Sequence, residues 1–489
     1  MSIDWIEIFL CLPLFGALAV FVSPIKTGKF FAATTSVLSG VIGILSALYV
    51  MRHAVDQGWY ELHPWLPSYS IVFKLGLDGT NVAWVILISF LFPMILISEL
   101  TKATKNSALL SLLLLLQSFL IGTALSQDLF LLEFFWTASV LPIFFLLGFW
   151  TKDRNYQAAQ HFLVQSLLGN AILFFGFLLL YHVGEAKSFD LQELRAIKAT
   201  TKIIRFLGHD LEVGPMSFIL VLIGLILRMP LWPFRGWVRK AFDQSSATVL
   251  CVIVSCVFPS VLFLFERIQF VLFRAELQEL KFFLLVFCGI NLIFASIGLI
   301  FQNEARRLLE RASLILFLVS FGGFLSFTEN GYLGSLYGIL NQGFALAAVA
   351  FFLSKFETIN PQMMRAGLFR TAPIMGVSFI SASIMIFGLP GMGQFFSNSI
   401  ILSGVNEYSL IMAIILFLAL VVLAGRFLIF FNTHFLGESQ SSAVAEGVIG
   451  DLSAREAAVY FVLLCGSVFL GLMPGVYLEG LRLLVGWSK

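Results

Sequence analysis

Apolar runs set the rhythm of this chain. Windows built almost entirely of Leu, Ile, Val, Phe, Ala and Gly start near residues 5, 30, 81, 107, 128, 158, 214, 245, 282, 309, 332, 373, 408 and 457. Each approaches the ~20 residues that a helix needs to cross about 30 Å of hydrocarbon, and the lengths favour helices over barrel strands. The pattern predicts an all-α integral membrane protein with about 14 transmembrane helices. Lys and Arg fall in alternate connections: Lys26 and Lys29, Lys102 and Lys105, Lys152 and Arg154, Arg235 with Arg239 and Lys240, Arg306 with Arg307 and Arg311, Lys355 with Arg365 and Arg370. Basic loops face the cytoplasm, so both termini are expected outside it. The opposite connections are poor in positive charge except 184–213 and 267–281, which either are long enough to weaken the rule or form surface helices of their own.

Two runs are interrupted. "LILRMPLWPFRGW" places Pro230 and Pro233 at the end of the seventh, and "IFGLPGMGQFF" places Pro390 inside the twelfth. Proline removes helical hydrogen bonds, and the freed backbone groups are tolerable in a bilayer only where protein or a wet cavity surrounds them. Paired broken helices point to transport folds built from repeats. Breaks five spans apart are the spacing expected of two copies of one five-helix unit, spans four to eight and nine to thirteen. The expected division of a single domain, 1–489, is three N-terminal helices in 1–106, repeat one in 107–266, repeat two in 282–432 and a C-terminal helix in 457–480.

Composition agrees and narrows the function. The 489 residues are 59% hydrophobic and 12% charged, with a mean hydropathy of +0.96, too few polar groups to cover a soluble surface. With 30 basic against 28 acidic residues and no basic stripe, nucleic acid is excluded as a partner. Cys11, Cys251, Cys256, Cys288 and Cys465 lie in or beside apolar runs without CxxC spacing, so they read as packing residues rather than disulfide, zinc or cluster ligands. The first run follows Asp4 and Glu7 instead of a basic segment, and it is expected to stay as the first helix. "GLPGMG" would put a polyanion in hydrocarbon if read as a phosphate cradle. The 54 phenylalanines and nine tryptophans read as packing and lipid-facing surface. No nicotinamide, flavin, quinone or metal motif is visible.

Several stretches together carry a resemblance: "HPWLPSYSIVFKLGLDGTN" (63–81), "ASVLPIFFLLGFW" (138–150), "RMPLWPFRGWV", "EARRLLERASL" (304–314) and "FGLPGMGQF" (387–395). In order and spacing the chain resembles the M-type antiporter-like subunits of respiratory complex I, whose relatives include Mrp-type cation/proton antiporters and membrane-bound hydrogenases. The resemblance implies a 14-helix subunit with two inverted five-helix repeats in the membrane arm of a complex I-like NADH:quinone oxidoreductase of a bacterial inner membrane. It implies contacts with other membrane-arm subunits and lipid, and proton translocation coupled to electron transfer. NADH, flavin, iron-sulfur clusters and quinone are expected only in partner subunits.

The same resemblance implies a string of buried ionisable groups: a glutamate in span five, lysines in seven and eight, histidines in ten and eleven, and an acid or lysine in twelve. Carried over one by one, the first falls on Thr137, the second on Arg228 and the third on Pro259. The histidines fall on Leu316 and Gln342, and the last on Asn398. Only Arg228 keeps a charge, and arginine does not release a proton at working pH. The lateral proton path is therefore expected to be impaired.

Glu133, one turn before Thr137, either substitutes for the missing acid and pairs with Arg228 or reaches to the headgroups. Arg228 either belongs to an altered path or only holds the broken helix together. His161, where the family often has a lysine, is a relay candidate or an interfacial residue. Arg235, Arg239 and Lys240 read as anchoring charge. Of the carboxylates, only Glu133 is expected near mid-span. Two readings stay open, a proton-translocating subunit and a non-conducting spacer, with a subunit of an Mrp-type antiporter or a membrane-bound hydrogenase as a third.

Overall fold

The computed structural model describes residues 5–53, 58–101, 106–151, 156–183, 188–196, 203–206, 209–358, 367–437 and 451–485. Lys102, Lys105, Lys152, Arg154 and Arg365 lie outside the described residues. Among the described residues, twelve helices are long and apolar enough to span a membrane: Trp5–Val22, Ile25–Arg52, Val82–Leu100, Ser107–Leu125, Leu129–Phe149, Gln157–His182, Ala247–Phe270, Arg274–Ile300, Ala305–Leu325, Glu329–Phe356, Leu410–Phe435 and Ala454–Leu472. Two more spans are each split, the seventh into Val213–Arg228 and Gly236–Gln244, the twelfth into Pro373–Phe387 and Gly393–Tyr408. The expected fourteen spans are thus present among the described residues.

One boundary departs from the sequence reading. Residues 267–281 are not a long connection: span eight continues to Phe270 and span nine starts at Arg274. Arg267, Arg274, Glu276, Glu279 and Lys281 give that stretch the polarity of a loop, but Arg267, like Glu266 just before it, is packed inside the span. Burial of ion-paired or hydrogen-bonded charges overrides the polarity signal there.

Spans eight, ten and eleven form the enclosed centre, while spans one, two, thirteen and fourteen have largely exposed flanks. An all-round apolar helix such as span eight needs this surrounding. It also carries two π-helical turns, Ile253–Val257 and Phe265–Phe270, with Pro259 between them. Each broken span packs on the third helix of its predicted unit, span seven on span six and span twelve on span eleven. Spans six and seven approach closely because Gly169 and Gly224 face each other: a Cβ on Gly224 would sit 2.7 Å from the Gly169 carbonyl oxygen. Small residues at such contacts let van der Waals packing hold helices together in lipid.

Spans two and three are joined by an antiparallel hairpin, Trp59–Leu66 with Ile71–Leu77, in register from Trp59↔Leu77 to Pro64↔Val72. The turn between the strands closes through Ser70 at φ +53°. Between spans six and seven lie a short helix, Leu191–Ala196, and a second hairpin, Ile203–Phe206 with His209–Glu212. The main hairpin is tied down by Lys74, whose Nζ is 2.5 Å from Asp190, and by the Asp78 that follows it.

Candidate functional site: broken helices and buried polar groups

Span five begins at Asp128, whose extended backbone and side-chain oxygen cap the helix by accepting from Phe130 N–H at 2.8 Å and Leu131 N–H at 3.1 Å. Burial pushes this carboxyl up to about 6, although the backbone donors pull the other way. One turn further, Glu133 is buried. Its Oε1 accepts from Thr137 Oγ1 at 2.8 Å, and Thr137 Oγ1 in turn accepts from Asn170 Nδ2 at 2.8 Å. Glu133 Oε2 and Asn170 Oδ1 have no hydrogen-bond partner among the described residues. The three side chains line a cavity of about 600 Å³ between spans five and six, walled by Phe130, Phe134, Leu141, Leu163, Leu167 and Phe174.

Arg228, the last residue of the first half of span seven, is buried, and its guanidinium carbon lies 4.3 Å from the Trp136 ring centroid and 5.6 Å from that of Phe162. Among the described residues neither terminal nitrogen has a hydrogen-bond partner, and no ion pair joins Arg228 to Glu133. Trp136 lies about 60° around the helix from Glu133 and about 100° from Thr137; the cation sits over that ring, while the carboxylate accepts from Thr137 and lines the cavity against span six. A ring over a desolvated cation supplies attraction without accepting a proton.

His161 is exposed, with Nε2 3.3 Å from Lys240 Nζ. It stands nine residues, or about 13 Å along span six, from Asn170, so it does not join the Glu133 cluster. Arg235, Arg239 and Lys240 lie in or beside Gly236–Gln244. Pro259 and Leu316 are fully packed. Gln342 is buried with Nε2 unpartnered among the described residues, and Asn398 accepts from Gln394 Nε2 at 2.8 Å.

The first break spans Met229–Arg235 and contains Pro230, Pro233 and a cis peptide at Trp232–Pro233. Two amides absent from the sequence-based candidates serve its freed backbone. Gln165 Nε2 donates to the Leu227 carbonyl at 2.5 Å and the Phe234 carbonyl at 2.7 Å. Asn291 Oδ1 accepts from Trp232 N–H at 2.8 Å, and its Nδ2 donates to the Trp232 carbonyl at 3.4 Å. The second break holds Pro390 between Gly388 at φ +69° and Gly391 at φ +98°, backbone that only glycine adopts without strain. Span fourteen passes this turn at Gly471, whose missing Cβ makes room for the Gly391 carbonyl.

Further buried polar pairs also escaped the sequence reading. Thr248 donates to Glu99 at 2.7 Å. Tyr332 donates to Glu266, and Arg267 binds Asp78 Oδ2 at 2.7 Å and also Thr80. Glu133 is therefore not the one carboxylate inside a span. Glu266 closes the first repeat as read from sequence, and an acid directly after "FPSVLFLF" was the signal that could have found it. Among the described residues no group of three or more His, Cys, Asp and Glu side chains could hold a metal.

The family profile described as NADH:quinone oxidoreductase/Mrp antiporter, TM, matches residues 126–424. Over its full length the chain is similar to the NADH-quinone oxidoreductase subunit M of Rickettsia prowazekii, 25% identical over 496 residues that cover 99% of this chain and 98% of the relative. Among solved structures it is similar to a chain of respiratory complex I from Thermus thermophilus with bound NADH, at a TM-score of 0.85, 19% identity and 98% coverage of both chains. A chain of the Mrp complex from Dietzia sp. DQ12-45-1b has the same fold at a TM-score of 0.84 and 17% identity, covering 99% of this chain and 97% of that one.

Proposed function

The chain belongs to the NADH:quinone oxidoreductase/Mrp antiporter membrane family, and on that premise we propose that it is an antiporter-like membrane-arm subunit of a complex I-like NADH:quinone oxidoreductase whose own central proton path is interrupted. Its end-to-end match with a relative named subunit M supports the subunit role. In this reading NADH, flavin, iron-sulfur clusters and quinone are held by partner subunits. The membrane is a bacterial inner membrane, with both termini and the 59–77 hairpin on its outer side. The single domain comprises helices one to three, two five-helix units, 107–266 and a second from Arg274 to about 432, and a final helix from 457 to 480.

The observation that carries the interruption is the setting of Arg228. Of the six positions where the resemblance implies an ionisable group, it alone is charged, and it is cradled by Trp136 and Phe162 instead of a proton acceptor. A fixed positive charge at that depth repels protons. Thr137, Gln342 and Asn398 carry hydrogen-bonding groups that do not titrate, and Pro259 and Leu316 offer no side-chain relay. Glu133 stays hydrogen-bonded to Thr137 in its own side cavity.

The test is purification of the tagged chain from native membranes. NADH-dependent quinone reduction co-purifies with it, and Glu133→Gln leaves the number of protons moved per electron pair in reconstituted vesicles unchanged. Purification with cation/proton antiporter or hydrogen-evolving partners in place of quinone-reducing ones overturns the subunit assignment. Loss of translocation on Glu133→Gln overturns the interruption.

A further inference from the structure

Span eight has lost the ionisable residue that the resemblance implies at Pro259, yet it carries another. Glu266 lies seven residues on, two helical turns and about 10 Å closer to the hairpin face, and close to the same side of the helix. It is completely buried. Its Oε1 accepts from the Tyr332 hydroxyl of span eleven, while Oε2 has no partner among the described residues. Tyr332 is itself enclosed by Phe270 and Phe324, with ring centroids 4.8 and 5.6 Å away.

A buried carboxylate with one oxygen unpaired is costly as an anion, and the cation next to it in sequence makes no ion pair with it. Arg267 directs Nη1 to Asp78 and Thr80, while its Nε and Nη2 have no hydrogen-bond partner among the described residues. The charged groups whose fields reach Glu266 are Arg267 on its own helix, Asp78 after the hairpin and Arg195 in the short helix 191–196, with Tyr332 the one titratable neighbour from span eleven. Asp78, which follows the hairpin and also accepts from Gln127 at 3.0 Å, is partly open to solvent on that side of the protein.

We propose that Glu266, with Tyr332 as its donor, is a proton-binding site of this chain that exchanges with the aqueous phase at the hairpin face. A proton from that phase adds to Oε2 and converts the carboxylate to a neutral acid; release reverses the step. Tyr332 donates to Oε1 in both states, and only the O–H bond at Oε2 forms and breaks. The proposal rests on the chain's place in a proton-handling assembly, but its site lies outside the interrupted path.

The experiment is infrared difference spectroscopy on the purified intact complex between alkaline and acidic buffer, for the native chain, Glu266→Gln and Tyr332→Phe. A carboxylic acid C=O band gained on acidification is lost in Glu266→Gln and shifted in Tyr332→Phe, because the phenol no longer donates to that carboxyl. Identical spectra for the native chain and Glu266→Gln overturn the proposal, as does a Glu266 band that ignores buffer pH. Should Glu266→Gln fail to assemble, an unshifted band in Tyr332→Phe does the same. Failure of the subunit reading shows itself separately, as the absence of quinone-reducing partners in the purified material.

Discussion

At the scale of single residues, Arg228 shows how a charge is kept in a membrane span without an ion pair. Burying an arginine at mid-helix costs about 2.5–3.5 kcal/mol on the insertion scale, whereas a desolvated cation over an aromatic face returns roughly 2 kcal/mol. The balance is a small net cost. Arg228→Met, which keeps the stem and drops the charge, is therefore expected to raise the melting temperature of the assembled complex slightly, by the equivalent of about 1 kcal/mol. A large loss of stability on that substitution contradicts the aromatic cradle as the main contact and points to a polar partner.

At the scale of elements, the break in span seven depends on side chains from two other helices. Pro230 and Pro233 forbid a continuous helix, but what makes the interruption tolerable is that Gln165 and Asn291 occupy the backbone groups it exposes. A buried polar group left without a partner costs about 1–3 kcal/mol. Asn291→Leu, close in volume, strands both Trp232 N–H and C=O and is expected to destabilise by roughly that amount, read as a drop in melting temperature. Asn291→Asp still accepts from Trp232 N–H and should lose less. The residues were visible in the sequence as isolated amides in apolar runs, but nothing there named their partners, which lie 59 to 69 positions away.

At the scale of the whole molecule, the hairpin is fastened to the helical body by ionic contacts that join distant segments. Asp78 meets span eight at Arg267, and Lys74 meets Asp190. Burial by itself would push the Asp78 carboxyl up, but the Arg267 charge and the bonds from Thr80, Arg267 and Gln127 outweigh it and hold the group below its ordinary value. A depressed carboxyl stabilises the fold above its unfolded-state value, near 4, and that contribution is lost as pH falls through the lower folded-state value. Asp78→Asn removes the charge that answers a buried arginine, a loss of about 3–5 kcal/mol. The variant is expected to melt earlier at pH 7, with the difference from the native chain shrinking in strong acid. A difference that stays constant down to pH 3 contradicts this assignment.

Hydrophobic run length by itself determined the membrane class, the fourteen spans and the two interrupted ones, because hydrocarbon thickness and the missing proline N–H act locally along the chain. Motif order carried the family. Tertiary structure decided which polar groups meet. Sequence leaves Glu133 open between pairing with Arg228 and reaching the headgroups; the packed helices give it a bond from Thr137 and set Arg228 against Trp136. Arg267 reads from sequence as the start of a connection, yet Asp78 receives it inside the protein, as Tyr332 receives Glu266. A charge in a membrane protein is placed by its partner, and a partner dozens of residues away is fixed only when the helices pack.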